Sequence, residues 1–505
     1  MPDDAGDSLK VAKPKRLDEL ITSGWYYFRI SLLLELSVFM QTAYMFYMQY
    51  SGATPKVNCA GVTMECKNFA NCTATTSNYT FDYQFYSVNV DWGYECDEAV
   101  KKSISYHMLG VLVGSFMFGQ FGETYGRKKA LLAAKIVTAA SFLLTPFAWN
   151  LLTLTIIRVI GGFFIGGQIV LALVMFIENS PKASRMWVSL MLSWSPNIML
   201  YAGLAYWAHD WKTLSYAIAV IAIPGIIHLA FFVFESPRWL LQKGRIDEAK
   251  AVIHKIYKIN GSDIDEETVN AVFENELAAR KSKANKMYSL FDILKSKELI
   301  GPVLVLCMCF NFTALNAYGI LFNIEKLSGS MYFNAALNGF LRYIFNIIFA
   351  IVEPRAAWLG RKAIHGICLM IVLAAVLLVI VANFMDVEWI LTAKRYALIG
   401  AAAMTSQLFL VLGVIGNEIL PTPVRTIGYS FLQVFNRLGV AMSPFLFMVN
   451  TIWEPLPLFI MLTLAALQLS VFTLAIPETR GKPMPEEMPG QHKAEDVELV
   501  EKIQE

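Results

Sequence analysis

Charge is scarce in this chain. Only 16% of its 505 residues are Asp, Glu, Lys or Arg, against roughly 25% in soluble globular proteins, which excludes an ordinary water-soluble composition. The net charge of +2 and the scatter of basic residues into short clusters leave no electrostatic footprint for nucleic acid. The six histidines are spread along the chain, and there is no Walker-type lysine loop, no GxSxG and no HExxH. Nucleotide-driven and hydrolytic chemistry therefore have no residues to run on; the chain is not expected to be an enzyme or to hold a cofactor or metal. The first 24 residues include Lys10, Lys13, Lys15 and Arg16 but no separate apolar core or small-residue cleavage site. The first apolar run is thus expected to serve as its own insertion signal.

What is abundant is apolar. Hydrophobic residues make up 56% of the chain and mean hydropathy is +0.48. A membrane-crossing helix needs about 20 mostly apolar residues, and twelve such runs lie near 27–48, 104–122, 130–148, 152–177, 187–207, 213–234, 300–322, 332–352, 364–383, 395–416, 427–449 and 456–476. This predicts an all-α membrane protein with twelve transmembrane helices. Short loops on one side hold Arg127, Lys128, Lys129, Lys182, Arg185, Arg355, Arg361, Lys362 and Arg425; those on the other hold Lys212, Lys326, Lys394 and Arg395. The bias places the first side and both termini in the cytoplasm. Residues 49–103 then form an external loop with four of the seven cysteines, Cys59, Cys66, Cys72 and Cys96. An even number in an oxidising compartment predicts two disulfides, with three pairings open. The sequons at Asn71 and Asn78 share the loop and are candidate glycosylation sites.

The second half of the chain repeats signals of the first. ENSPKASR at 178–185 and EILPTPVR at 418–425 share E-x-x-P-x-x-x-R, GRK occurs at 126–128 and 360–362, and ESPR at 235–238 is echoed by PETR at 477–480. Pairs in one order at near-constant offset indicate duplication, giving two six-helix parallel repeats. The predicted organisation is a cytoplasmic N-terminus over 1–24, a first half over 25–234, a cytoplasmic linker over 235–298, a second half over 299–476 and a tail over 477–505. In the linker, Ala249, Val252, Ile253 and Ile256, then Val269, Val272, Phe273 and Leu277, recur at helical spacing on either side of Asn260–Gly261–Ser262, so two short amphipathic helices are expected. Gly126 and Gly360 are expected to make tight turns.

Twelve spans in two halves with GETYGRKK, ESPRWL and PETRGKP resemble the major facilitator superfamily. The cysteine-bearing loop, the following DWGYEC, and NRLGVAMSP in the eleventh run resemble its organic cation, organic anion and carnitine transporters. The resemblance implies the major facilitator fold and transport by alternating access, driven by a coupled ion or exchange anion. One departure stands out: the acidic position matched by Glu123 in the first half is Ala357 in the second, which predicts a weaker corner there.

Two groups of charged residues carry the functional expectations. Glu123, Arg127, Glu178, Arg185, Glu235, Arg238, Glu418, Arg425, Glu478 and Arg480 fall at predicted cytoplasmic span ends, where they are expected to form ion pairs between the halves as a gate; helix capping is the competing role. Arg342 and Arg437 fall inside spans, the latter ten residues into its run, or about 15 Å deep. Each costs about 2.5–3.5 kcal/mol there unless it faces a wet cavity or a partner. Asn334, Asn338, Arg342 and Asn346 repeat every fourth residue, as do Tyr429, Gln433 and Arg437, so each set is one helical stripe. Glu35 is the main acidic counterpart, either in the site or paired with one arginine. Trp194, Tyr201, Phe312, Tyr318 and Phe435 are candidate wall residues. Arg158, which begins R-x-x-x-G-x-x-x-G, is expected to pack helices.

Guanidinium groups suit carboxylates, and in the resembled group an arginine at the place of Arg437 implies anion or carnitine carriers. The expected function is movement of small organic anions or carnitine-like zwitterions by a monomeric transport unit in the plasma membrane. An organic cation or sugar carrier of the same fold and a solute sensor that moves nothing are the alternatives.

Overall fold

The computed structural model describes residues 17–59, 62–64, 79–94, 99–181, 194–283, 290–321, 329–356, 360–385, 388–421, 424–446, 452–453 and 455–480, with 449, 485 and 488 singly. Arg185, Cys66, Cys72, Cys96, Asn71 and Asn78 lie outside the described residues.

The first six spans are α1 (Trp25–Ser51), α3 (Ala99–Tyr125), α4 (Arg127–Leu144), α5 (Leu151–Glu178), α6 (Trp194–Ala208) and α7 (Trp211–Phe232), with a short α2 (Val88–Asp91) ahead of α3. Three linker helices, α8 (Pro237–Gln242), α9 (Ile246–Ile259) and α10 (Glu266–Lys283), and a short α11 (Leu290–Lys295) come next. The second six are α12 (Lys297–Leu321), α13 (Met331–Arg355), α14 (Arg361–Ala382), α15 (Glu388–Ile419), α16 (Arg425–Leu446) and α17 (Leu456–Ala475). Among the described residues, nine helices are long and apolar enough to cross a membrane. The three spans that fall short have local reasons: α6 has only 15 described residues, α3 carries Lys101, Lys102, His107 and Glu123, and α16 carries Tyr429, Gln433, Asn436 and Arg437.

Local chemistry sets the helix starts. Asn150 accepts from Thr153 N at 2.7 Å before α5, and Asp210 accepts from Thr213 N at 2.8 Å before α7, each satisfying a backbone donor with no partner in the first turn. The duplication is visible in packing. α1 packs on α5, α6 and α7 as α12 does on α15, α16 and α17; α4 packs on α5 and α7 as α14 does on α15 and α17; α3 packs on α5 as α13 does on α15. The halves meet through α3 against α16 and α6 against α13.

Glycines permit the closest of these approaches. A Cβ on Gly162 or Gly166 of α5 would lie 2.6 Å from His107 O and 2.3 Å from Val111 O of α3, as the small-residue spacing predicts. The linker stripes bury Ala249, Ile253, Val269, Val272 and Phe273 against Leu17, Leu20 and Trp239 in a separate cluster. Asn260, between α9 and α10, accepts from Tyr26 N at 2.9 Å and so ties this cluster to the start of α1.

The loop over 49–103 contains a three-stranded antiparallel sheet that the sequence reading did not anticipate. β1 (Lys56–Cys59) lies between β2 (Val62–Met64) and β3 (Tyr79–Asp82), with Val57 opposite Met64 and Phe81. This end of the bundle is called the sheet end, and the end bearing the two GRK turns the basic end.

Candidate functional site

The polar stripe of α13 divides by use. At its ends, Asn334 accepts from Arg395 Nε at 2.7 Å, and Asn346 accepts from Ser406 Oγ at 2.9 Å and from Gln407, all on α15. In its middle, both amide atoms of Asn338 and the Nε of Arg342 have no hydrogen-bond partner. Arg342 and Arg437 are partly accessible, and neither forms an ion pair among the described residues. Tyr318 of α12 stands within electrostatic reach of both guanidiniums. On α16, Tyr429 lies beside Gln433 and Arg437, and Gln433 accepts from Asn436 Nδ2 at 2.9 Å.

Glu35 is not the counter-ion of either arginine. Its Oε1 accepts from Asn197 Nδ2 of α6 at 3.0 Å, and its Oε2 has no partner. Trp194, Phe312, Tyr318 and Phe435 keep partial access, whereas Tyr201 is buried and meets Tyr50 edge-on at 5.6 Å. The central region thus presents two positive groups from the second half and one acidic group from the first.

Arg158, which is fully buried, has a different setting. The Arg158 guanidinium lies 3.9 Å from the centroid of Tyr44, 4.5 Å from Tyr47 and 4.6 Å from Phe142, and donates to Tyr44 O at 3.2 Å. Three ring faces replace a carboxylate. The packing role read from the sequence fits, but the aromatic box was missed because Tyr44 and Tyr47 read as part of an apolar run.

At the basic end, the charged residues cluster within each half. Arg127 pairs with Glu123 at 2.7 Å and Glu178 at 3.3 Å, while Glu235 accepts from Lys128 N at 3.1 Å and Trp239 Nε1 donates to Glu123 O at 2.9 Å. In the second half Arg361 pairs with Glu353 and with Glu418 at 3.4 Å. Glu478 there accepts from Arg361 N at 3.0 Å and Lys362 N at 3.1 Å. Arg480 Nη2 donates to Glu353 O at 2.8 Å, and Arg425 Nε donates to Leu420 O at 3.1 Å. Arg238 lies in α8.

Two expectations change here. The second corner has not lost its acid: Glu353, in the last turn of α13, supplies the carboxylate. Gly126 has φ +104° and needs glycine for its backbone, but Gly360 is extended at φ −70°. Gly360 serves instead for clearance, since a Cβ there would lie 2.3 Å from Glu478 Oε2. Burial pushes the Glu235 carboxyl above its ordinary value against three backbone donors. For Glu478, burial works in the same upward direction, but four backbone donors outweigh it and hold the carboxyl below the ordinary value.

The sheet end is where the halves close on one another. One buried cluster joins Tyr44–Met48, Tyr50 and Tyr201 of the first half to Ala314, Leu321, Met331, Tyr332, Ala335, Val440 and Ala441 of the second. Tyr50 stacks on Tyr332 at 5.8 Å. Gln84, just after β3, donates to Gly329 O at 3.0 Å, accepts from Met331 N at 2.8 Å and accepts on its backbone carbonyl from Tyr332 Oη at 2.7 Å. The same segment is fixed to the first half. Tyr86 exchanges backbone hydrogen bonds with His209 and Trp211, and Asp91 pairs with Lys212 at 2.9 Å.

A family model described as sugar (and other) transporter matches residues 57–489. The organic cation transporter protein of Drosophila melanogaster is 31% identical over 429 residues, covering 83% of this chain and 76% of that protein. Human organic cation/carnitine transporter 2 is 25% identical over 419 residues (81% and 72%), and mouse solute carrier family 22 member 6 is 25% identical over 418 residues (79% and 73%). The inward-open xylose transporter XylE of E. coli superposes with a TM-score of 0.66 at 16% identity, covering 91% of this chain and 98% of that one, a likeness of fold. With its apolar helices in two packed repeats, the chain is a multi-pass membrane transporter and not an enzyme, and it belongs to the major facilitator superfamily as one of the organic cation, organic anion and carnitine transporters.

Proposed function

We propose that this transporter carries small organic anions or carnitine-like zwitterions by alternating access, with Arg342 and Arg437 as the groups that meet the carboxylate. The observation that carries this reading is that both guanidiniums sit inside the bundle without an ion pair among the described residues. A cation at that depth is costly alone, and a planar fork is matched by a carboxylate. Gln433, Tyr429, Asn338 and Tyr318 complete the polar wall. In this reading the basic end is cytoplasmic, and residues 49–103 are external, bearing disulfides among Cys59, Cys66, Cys72 and Cys96 and sugars on Asn71 and Asn78.

In this reading the interlock at the sheet end is the seal on the outer side. Opening outward would part that seam and bring the basic corners of the two halves together. Glu123, Arg127, Glu178, Arg185, Glu235, Arg238, Glu418, Arg425, Glu478 and Arg480 would then form ion pairs across the inner mouth as the gate. Exposed pairs of about 0–1 kcal/mol each can bias such a balance without freezing it.

A second reading is an organic cation carrier. Glu35, whose Oε2 has no partner, favours it, as does the similarity to the organic cation transporter protein of Drosophila melanogaster. Uptake of labelled carboxylates, quaternary amines and carnitine-like zwitterions by cells expressing the protein separates the two. The proposal expects carboxylate-bearing solutes to be carried; uptake confined to cations would overturn it, and surface protein that carries nothing would favour a sensor.

A further inference from the structure

Five buried polar atoms near the sheet end, among them the two amide atoms of Asn338 at the edge of the polar wall, have no hydrogen bond. Gln49 and Tyr50 of α1, Tyr201 of α6 and Asn338 of α13 line one small cavity, floored by apolar side chains that include Ile198 and Leu321. Gln49 Nε2, both phenolic hydroxyls and both amide atoms of Asn338 lack a hydrogen-bond partner. None of the four residues is more than 3% exposed. A buried polar atom left unsatisfied keeps its full desolvation cost, so five in one place are a concentrated penalty. Such a penalty is tolerable where another state of the protein, or a ligand, satisfies the groups.

The position of the cavity says which state. Its walls come from both halves, and the Tyr50–Tyr332 stack forms the seam beside it, with Tyr332 held by Gln84. Parting the halves at this end opens the cavity towards the external solution. Asn338 stands one turn from Arg342 on the same stripe, about 6 Å along the helix axis. The cavity has amides and phenols but no charged lining residue, so it cannot compensate an ion; it can both donate to and accept from a neutral group.

We infer that Gln49, Tyr50, Tyr201 and Asn338 form an outer subsite that recognises a neutral hydrogen-bonding group, a hydroxyl or an amide, on an organic anion whose carboxylate lies on the arginines. The inference rests on the anion reading and deepens it. An anion that lacks the polar group leaves the amides unpaired and is disfavoured, which is how a hydrogen-bonding pocket discriminates. One net hydrogen bond sets the scale, roughly a two- to tenfold preference.

The test uses benzoate and 4-hydroxybenzoate, which place a carboxylate with or without a distal hydroxyl at this spacing, as external competitors of uptake of a transported labelled carboxylate. Wild type should be inhibited roughly two- to tenfold more strongly by 4-hydroxybenzoate. The ratio should fall towards one in Gln49→Leu and, should that variant fail to reach the surface, in Tyr50→Phe, which removes only an oxygen. A merely structural role would weaken both competitors alike and leave the ratio in place. Equal inhibition of wild type, or an unchanged ratio in both variants, overturns the subsite while carboxylate uptake leaves the anion reading standing. Absence of any carboxylate uptake overturns the anion reading, and the subsite falls with it.

Discussion

Each half of the bundle buries arginine, but in opposite ways. Arg158 in the first half is boxed by three aromatic rings and a backbone carbonyl, while its Nε and Nη1 have no hydrogen-bond partner, so ring faces more than hydrogen bonds offset its charge. Arg342 and Arg437 in the second half have no such box and no ion pair among the described residues, and they keep partial access. The difference separates a cation that holds helices together from cations held ready for something that arrives. In the proposed reading, the duplicated fold assigns rigidity to one half and the charged part of recognition to the other.

Substitution at the two kinds of arginine should give distinct signatures. Arg158→Ala removes a fully buried side chain and three ring contacts, a loss of about 2–5 kcal/mol on the scale of large-to-small core changes. Surface expression and the thermal midpoint of the detergent-solubilised protein should fall together, and Arg158→Lys should rescue little because a point charge does not stack as a planar guanidinium does. A variant with normal expression and selectively altered substrate preference would place Arg158 in the site and dissolve the contrast.

The basic corners sharpen the same comparison at smaller scale. Glu478→Gln should cost about 1 kcal/mol, below the usual range for charge-assisted bonds because the group is partly exposed. Glu235→Gln should cost less, since burial already disfavours its ionised form. The signs with pH differ too. Glu478, with a depressed pKa, contributes stability that is present above the ordinary carboxylate value and lost only as pH falls through its lower folded value. Glu235, with a raised pKa, favours the fold most when protonated, and that contribution is lost as pH rises through its raised value. Melting curves of wild type and both variants from pH 7.5 down to pH 4 should show the Glu478 deficit holding to about pH 4.5 and then closing; a deficit that closes well above that pH would refute the assignment.

The smallest effect is expected at the sheet end. Gln84→Ala deletes two side-chain hydrogen bonds between the halves, worth about 1 kcal/mol together when partly exposed, or about a fivefold shift towards the outward-open state. An impermeant thiol reagent should label Ala335→Cys faster by that factor in the Gln84→Ala background. Equal labelling rates would show that the aromatic seam alone holds this end shut.

Much of this architecture was legible because the bilayer writes it in long apolar runs. The run at 27–48 is α1 at Trp25–Ser51, and the run at 456–476 is α17 at Leu456–Ala475. The stripes of α13 and α16 were legible for the same reason in reverse, as polar residues at period four in an apolar background. Contacts set by three-dimensional proximity alone were not. Glu353 was missed because the first half places its acid four residues before the arginine and the second half eight. The strands were missed because three or four residues leave no periodicity to read. Gln84 was a lone glutamine in a polar loop, and the partner of Glu35 is Asn197, a neutral residue that charge matching does not find.

Arg437 offers the most direct measurement of the central claim. Concentration-dependent uptake of the preferred carboxylate by wild type and Arg437→Ala, each corrected for surface protein, reads the contact between guanidinium and substrate. A charge-assisted contact of about 1.5–3 kcal/mol predicts a ten- to hundredfold loss of apparent affinity at near-normal surface expression, with partial rescue by Arg437→Lys. Arg437→Asp should turn residual selectivity towards cations. An Arg437→Ala protein that reaches the surface and carries the same anion with unchanged affinity and rate would contradict the account.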